Sequence, residues 1–149
     1  MKKIIFCDID GVLNSAYYTK RDGGGISFIE ERKVKNLKKI VDATGAEVVI
    51  TSRANAIFGK TFNQARIDGI KEYGVTPIDS VTSMEFQDSK AIHIKLWLQK
   101  HNLENVPFVV IDDCQGDLEM QFRDKFIHVK GKHGLTTQHV RKAIEILNK

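Results

Sequence analysis

Four short apolar runs constrain this chain more than any other feature. Residues 4–9, 46–51, 106–112 and 126–129 are near-continuous in Ile, Val and Phe rather than alternating with polar residues. Such runs form strands buried on both faces, as in a parallel sheet covered by helices. Helical patterns separate them. Val34, Leu37 and Val41 recur at i, i+3 and i+7 among lysines, and Gly45 supplies a stop. A weaker pattern covers residues 63–73 and closes at Gly74. Residues 90–101 read as a helix capped by Asp88 or Ser89, although Ile92, Ile94, Leu96 and Leu98 also alternate as a strand would. Val140, Ala143, Ile144 and Leu147 mark one face of a C-terminal helix that Thr136 or Thr137 caps. Strand and helix alternate, so the expected class is α/β with a mainly parallel sheet.

A chain of 149 residues suits one domain, residues 1–149, with a core of useful size. No internal repeat or linker divides it. Its content, 42% hydrophobic and 28% charged, is that of a globular chain, and no apolar run reaches the length of a membrane span. The N-terminal apolar run is cut short by Asp8 and lacks the form of a secretory signal, so a cytoplasmic location and no membrane partner are expected. Two cysteines, Cys7 and Cys114, make no disulfide framework, and the five histidines show no metal-binding spacing. The net charge of +4 suits an anionic partner without requiring one.

In parallel sheets ligands bind beyond the carboxyl ends of the strands, so the residues there carry the function. The first run ends in Asp8-Ile9-Asp10-Gly11, the second in Thr51-Ser52-Arg53, and the third in Asp112-Asp113, with Asp117 close behind. Carboxylates gathered at one sheet edge repel each other unless a cation or a raised pKa compensates. Hard oxygen ligands of this kind suit Mg²⁺, which also shares phosphate oxygens of a substrate. These endings therefore point to a magnesium site handling a phosphate.

The order of these motifs resembles the haloacid dehalogenase (HAD) superfamily of phosphotransferases. Asp8-x-Asp10-Gly11 follows an apolar strand, then come a strand ending in Thr51, a lysine, and a strand ending in Asp112-Asp113. The wording Gly11-Val12-Leu13-Asn14 and the segment Gly134-Leu135-Thr136 before a last helix resemble the small HAD domains of nucleic-acid repair proteins. The resemblance implies a Rossmann-like three-layer sandwich and a Mg²⁺-dependent phosphohydrolase that forms an aspartyl-phosphate. By the same resemblance Asp8 is the nucleophile and Asp10 the general acid and base. Thr51 holds a phosphate oxygen, with Ser52 as the competing hydroxyl. Lys90 neutralises phosphoryl charge, with Lys95 and Lys71 as alternatives. Asp8, Asp113 and the backbone carbonyl of Asp10 hold the metal, with Asp112 and Asp117 supporting. Gly11 permits the turn between the aspartates, and Arg53 grips a phosphate or a base.

The segments from Asn14 to Glu47 and from Ala54 to Ser89 are too short for a large cap domain. An open site of this kind suits a phosphomonoester that is a nucleotide or the terminal phosphate of a polynucleotide. The stretch Tyr17-Tyr18-Thr19-Lys20-Arg21, before three glycines, reads as a flap whose rings stack on a base. Two other readings compete. A phosphorelay receiver domain also uses Asp, Thr and Lys, but its lysine comes last, whereas Lys90 precedes Asp112-Asp113. An inactive HAD-shaped binding module usually lacks an aspartate of the first motif, and here both are present.

Overall fold

The computed structural model describes residues 1–15, 29–52, 54–81 and 89–149, with the side chains of residues 54–62 outside that description. In chain order the elements are β1 (Ile4–Cys7), α1 (Glu31–Thr44), β2 (Glu47–Ile50), α2 (Ala54–Glu72) and β3 (Asp79–Ser80). They continue with α3 (Lys90–Lys100), β4 (Phe108–Asp112), α4 (Asp117–Phe122), a single 3₁₀ turn (Arg123–Lys125), β5 (Phe126–His128) and α5 (Thr137–Leu147). The strands form one sheet in the order β3-β2-β1-β4-β5, every pairing parallel. The chain is thus the expected α/β sandwich.

β1 is central and wholly buried because its neighbours along the chain alternate between two cores. Ile5 and Cys7 face one layer with Val34, Leu37 and Ile40 of α1, Ile70 of α2, and Val140, Ala143 and Leu147 of α5. Ile4 and Phe6 face the other with Ala91, Ile94, Trp97 and Leu98 of α3 and Leu118 and Phe122 of α4. Burial on both faces is what removes the polar alternation from the strand sequences. Among the described residues no cap domain interrupts this plan; α2 and β3 occupy the space between the second and third motifs.

The ambiguity over residues 90–101 resolves through side-chain direction. A strand would place Ile92, Ile94, Leu96 and Leu98 on one face. Instead Ile94 and Leu98 enter the core while Ile92 and Leu96 are 57% and 52% exposed, as a helix requires. Ser89 caps it by accepting the Ile92 N–H at 3.3 Å. The C-terminal helix is likewise capped at Thr136.

Four elements depart from expectation. α2 runs from Ala54, nine residues before the pattern that announces it, because its first half carries no one-sided apolar stripe. β3 and α4 span only 2 and 6 residues, too short to show a period. β1 ends at Cys7 rather than at residue 9, because the chain turns at once: the Ile9 carbonyl accepts the N–H groups of Val12 and Leu13. This turn is closed from above by the segment after β5. The Leu135 N–H donates to the Val12 carbonyl at 2.9 Å, and Asn36 of α1 donates to the Leu135 carbonyl at 2.8 Å. The two short stretches that carry the narrower family resemblance are therefore one packed unit. No helix among the described residues is long and apolar enough to cross a membrane.

Candidate active site

Strand register brings the first, second and fourth motifs into one row. Cys7 pairs with Ile50 on one side and Ile111 on the other. The next residues, Asp8, Thr51 and Asp112, therefore emerge side by side at the carboxyl edge. The backbone locks this row: the Asp8 N–H donates to the Ile111 carbonyl and the Thr51 N–H to the Cys7 carbonyl, both at 3.0 Å. The strand order reverses about β1, since β2 and β3 lie to one side and β4 and β5 to the other, and such a switch point opens a crevice for a ligand.

Lys90 bridges two of these carboxylates. Its Nζ lies 2.6 Å from Asp112 Oδ2 and 3.5 Å from Asp8 Oδ1, with all three side chains almost wholly buried. Its backbone position is set by the helix cap. Ser89 Oγ donates to Asp117 Oδ2 at 2.5 Å while accepting the Ile92 N–H, so Asp117 steadies the turn from which Lys90 projects. Burial alone would lower the Lys90 pKa, but Asp8 and Asp112 outweigh it and the net shift is upward, keeping the ammonium charged. Of the three lysines considered, Lys90 is the one at the site. Lys95 binds Gln121 on the exposed side of α3.

The carboxylates themselves are crowded. Burial raises the pKa of Asp8 well above the ordinary range; Lys90 works against the shift, and Asp112 and Asp113 add to it. Asp113 is raised too, first by burial and then by Asp112. Asp8 and Asp113 also act on each other, Asp113 pushing the Asp8 pKa further up. Asp112 is occupied at both oxygens, Oδ2 by Lys90 and Oδ1 by the Cys114 N–H at 2.9 Å. His128, paired with Asp112 across β4 and β5, donates Nε2–H to the Asp113 carbonyl at 3.0 Å.

Gly11 is required here for two reasons. Its φ of +81° is a left-handed conformation. A Cβ there would also lie 2.5 Å from Asp113 Oδ2 and 3.0 Å from the Gly131 Cα. The turn after β1, Asp113 and the loop after β5 thus meet at closest approach.

Asp10 stands apart from Lys90. Its Oδ1 accepts from Arg66 Nη2 at 2.7 Å and from Asn14 Nδ2 at 3.3 Å. Asn14 Oδ1 in turn accepts the Gly11 N–H at 2.9 Å. Sequence reasoning misses Arg66, since no spacing rule links residues 10 and 66 and α2 lacks a marked face. Asn14 lies within the quoted first motif, where its amide was the available signal. Thr51 is fully buried, and its hydroxyl has no hydrogen-bond partner among the described residues. Ser52 is buried beside it. Arg53 and the Tyr17–Arg21 stretch lie outside the described residues.

The donor set fits a divalent cation. Among the described residues, Asp8, Asp10, Asp112 and Asp113 face the two buried cations Lys90 and Arg66, an excess of two negative charges within that group when all are ionised. Oxygen donors alone suit Mg²⁺; the Cys114 thiol, within 4.8 Å of the Asp112 and Asp113 carboxylates, is a poor ligand for it. Cys7, fully buried and with its thiol pKa pushed up by burial and then by Asp8, behaves as a small core residue.

Residues 4–140 match the family described as the HAD domain in Swiss Army Knife RNA repair proteins. The chain belongs to that family. A search of curated proteins gave no significant match. The all-parallel sheet, the absence of a cap among the described residues and the Asp8/Thr51/Asp112 row are what a small HAD domain needs, and the matched span holds every one of the four motifs.

Proposed function

We propose that this HAD domain is a Mg²⁺-dependent phosphomonoesterase working through an aspartyl-phosphate on Asp8. The observation that carries the reading is Lys90, fixed between Asp8 and Asp112, with Asp113 drawn against Asp8. Asp8, Asp113 and the backbone carbonyl of Asp10 would hold the metal. Bound there, Mg²⁺ supplies neutralisation of phosphoryl charge, so that an anionic carboxylate can approach an anionic phosphate.

The residues then divide the work. An Asp8 oxygen attacks phosphorus, and the bond to the leaving oxygen breaks. Asp10 gives that oxygen a proton. Asp10, now a carboxylate, takes a proton from water, whose oxygen attacks the acyl phosphate and releases inorganic phosphate and Asp8. Lys90 offsets charge on the transferring group throughout. Asp112 serves chiefly to aim Lys90, since both of its oxygens are already engaged. Thr51 gives its hydroxyl to a phosphate oxygen; a buried hydroxyl left unbonded costs about 1–3 kcal/mol, which such a contact removes.

The substrate is a nucleotide or, preferentially, the phosphate at a polynucleotide end. Support comes from the family's association with RNA repair proteins, the mild positive charge and the lack of a cap domain among the described residues. The test is phosphate release, with and without Mg²⁺, from p-nitrophenyl phosphate, nucleoside monophosphates and RNA or DNA oligonucleotides phosphorylated at either end. The reading predicts Mg²⁺-dependent release, fastest on an oligonucleotide end. A purified, folded protein that releases nothing from any of them contradicts it.

A further inference from the structure

Among the described residues, Arg66 is the largest side chain that the fold buries completely. A guanidinium removed from water is expensive unless a carboxylate and good geometry compensate. Its carboxylate is Asp10, at 2.7 Å. The arginine comes from α2, 56 residues further along the chain. That helix is seated by Ile70, fully buried one turn beyond Arg66, and by Gly69, where a Cβ would touch Ile29 at 3.4 Å. The helix that carries Arg66 is therefore anchored by contacts that do not involve Asp10.

The consequence falls on Asp10. Arg66 and Asn14 both bind the same oxygen, Oδ1, and Asn14 is itself tied to the Gly11 N–H. Oδ2 has no partner among the described residues, and the Asp10 side chain is 40% exposed. One oxygen is clamped, and among the described residues the other is left without a partner on a side chain that is partly open. We infer that Arg66 is a positioning residue: it fixes the Asp10 carboxyl so that Oδ2 alone exchanges protons with the leaving oxygen and then with water. This rests on the phosphomonoesterase reading above. It differs from a purely structural ion pair, which would anchor α2 and leave the chemistry unaffected.

The two roles separate experimentally. The full chain is compared with Arg66→Met, Arg66→Lys, Asp10→Asn, Asp8→Asn and the Arg66→Met/Asp10→Asn double variant. The substrates are p-nitrophenyl phosphate, whose leaving group needs little protonation, and an alkyl phosphate, whose leaving group needs it. Positioning predicts kcat for the alkyl ester lower on the order of 10²-fold in Arg66→Met, with KM little changed and a smaller loss on the aryl ester. The double variant should be no slower than Asp10→Asn. If Arg66→Met does not fold, Arg66→Lys, which keeps the buried charge, should show the same leaving-group-dependent loss in weaker form. Equal losses on both esters, or losses in Arg66→Met and Asp10→Asn that multiply, overturn the inference. Activity surviving in Asp8→Asn is a different failure: it removes the reading of the site and the inference with it.

Discussion

Lys90 is the residue on which the site turns. Removing one partner of a buried ion pair costs about 3–5 kcal/mol, because the remaining charge is left without compensation. Lys90→Met leaves Asp8 and Asp112 facing each other in the core. It should lower stability by about that amount in denaturant unfolding and abolish phosphate release, and Mg²⁺ should restore part of the stability but none of the turnover. At this scale the sequence was informative where chemistry is concentrated in a short motif. Asp8, Asp10, Gly11, Thr51, Asp112 and Asp113 each stand at a strand end or in the turn beside it, where an apolar run stops. Arg66 was illegible because its significance arises only when α2 docks against the first turn, a contact between distant residues that no local spacing encodes.

Elements deliver these residues to the site, and their termini matter more than their middles. α3 presents Lys90 through its cap at Ser89, and α5 is held at its start by an unusual cap, in which His139 Nδ1 accepts the Thr136 N–H at 2.9 Å. That nitrogen accepts only while the ring is neutral. Burial lowers the His139 pKa, and Lys142, Lys33 and His128 lower it further. The sign follows: the folded state resists a proton that the unfolded chain takes up near 6.5, so the contribution is complete above that value and is lost as pH falls through the folded pKa. Thermal stability should therefore decline as pH falls below about 6.5, and His139→Gln, which retains an acceptor, should remove this share of the decline. The element pattern was legible for α1, α3, α5 and four strands because each shows a period or an uninterrupted apolar run. β3 and α4 are shorter than any period, and the first half of α2 has no stripe to read.

Across the whole molecule the fold gathers carboxylates that no single element would tolerate together. Parallel pairing puts Asp8, Thr51 and Asp112 in one row, and the loops after β1, β4 and β5 bring Asp113 against Gly11 and Gly131. That architecture was legible from the buried apolar runs, because only a sheet covered on both faces hides so many of them. The resulting excess of negative charge makes stability a report on metal binding. Mg²⁺ should raise the melting temperature, by about 2.7 kcal/mol equivalent at a hundredfold excess over its dissociation constant, and Asp113→Asn should abolish most of that rise. The most direct test of the account as a whole is where the phosphoryl group goes. Protein incubated with p-nitrophenyl phosphate and Mg²⁺, quenched in acid and mapped by mass spectrometry, should carry phosphate on Asp8, more of it in Asp10→Asn, where the second step lacks its base. Phosphate mapped to another residue, with turnover undiminished in Asp8→Asn, would contradict the account.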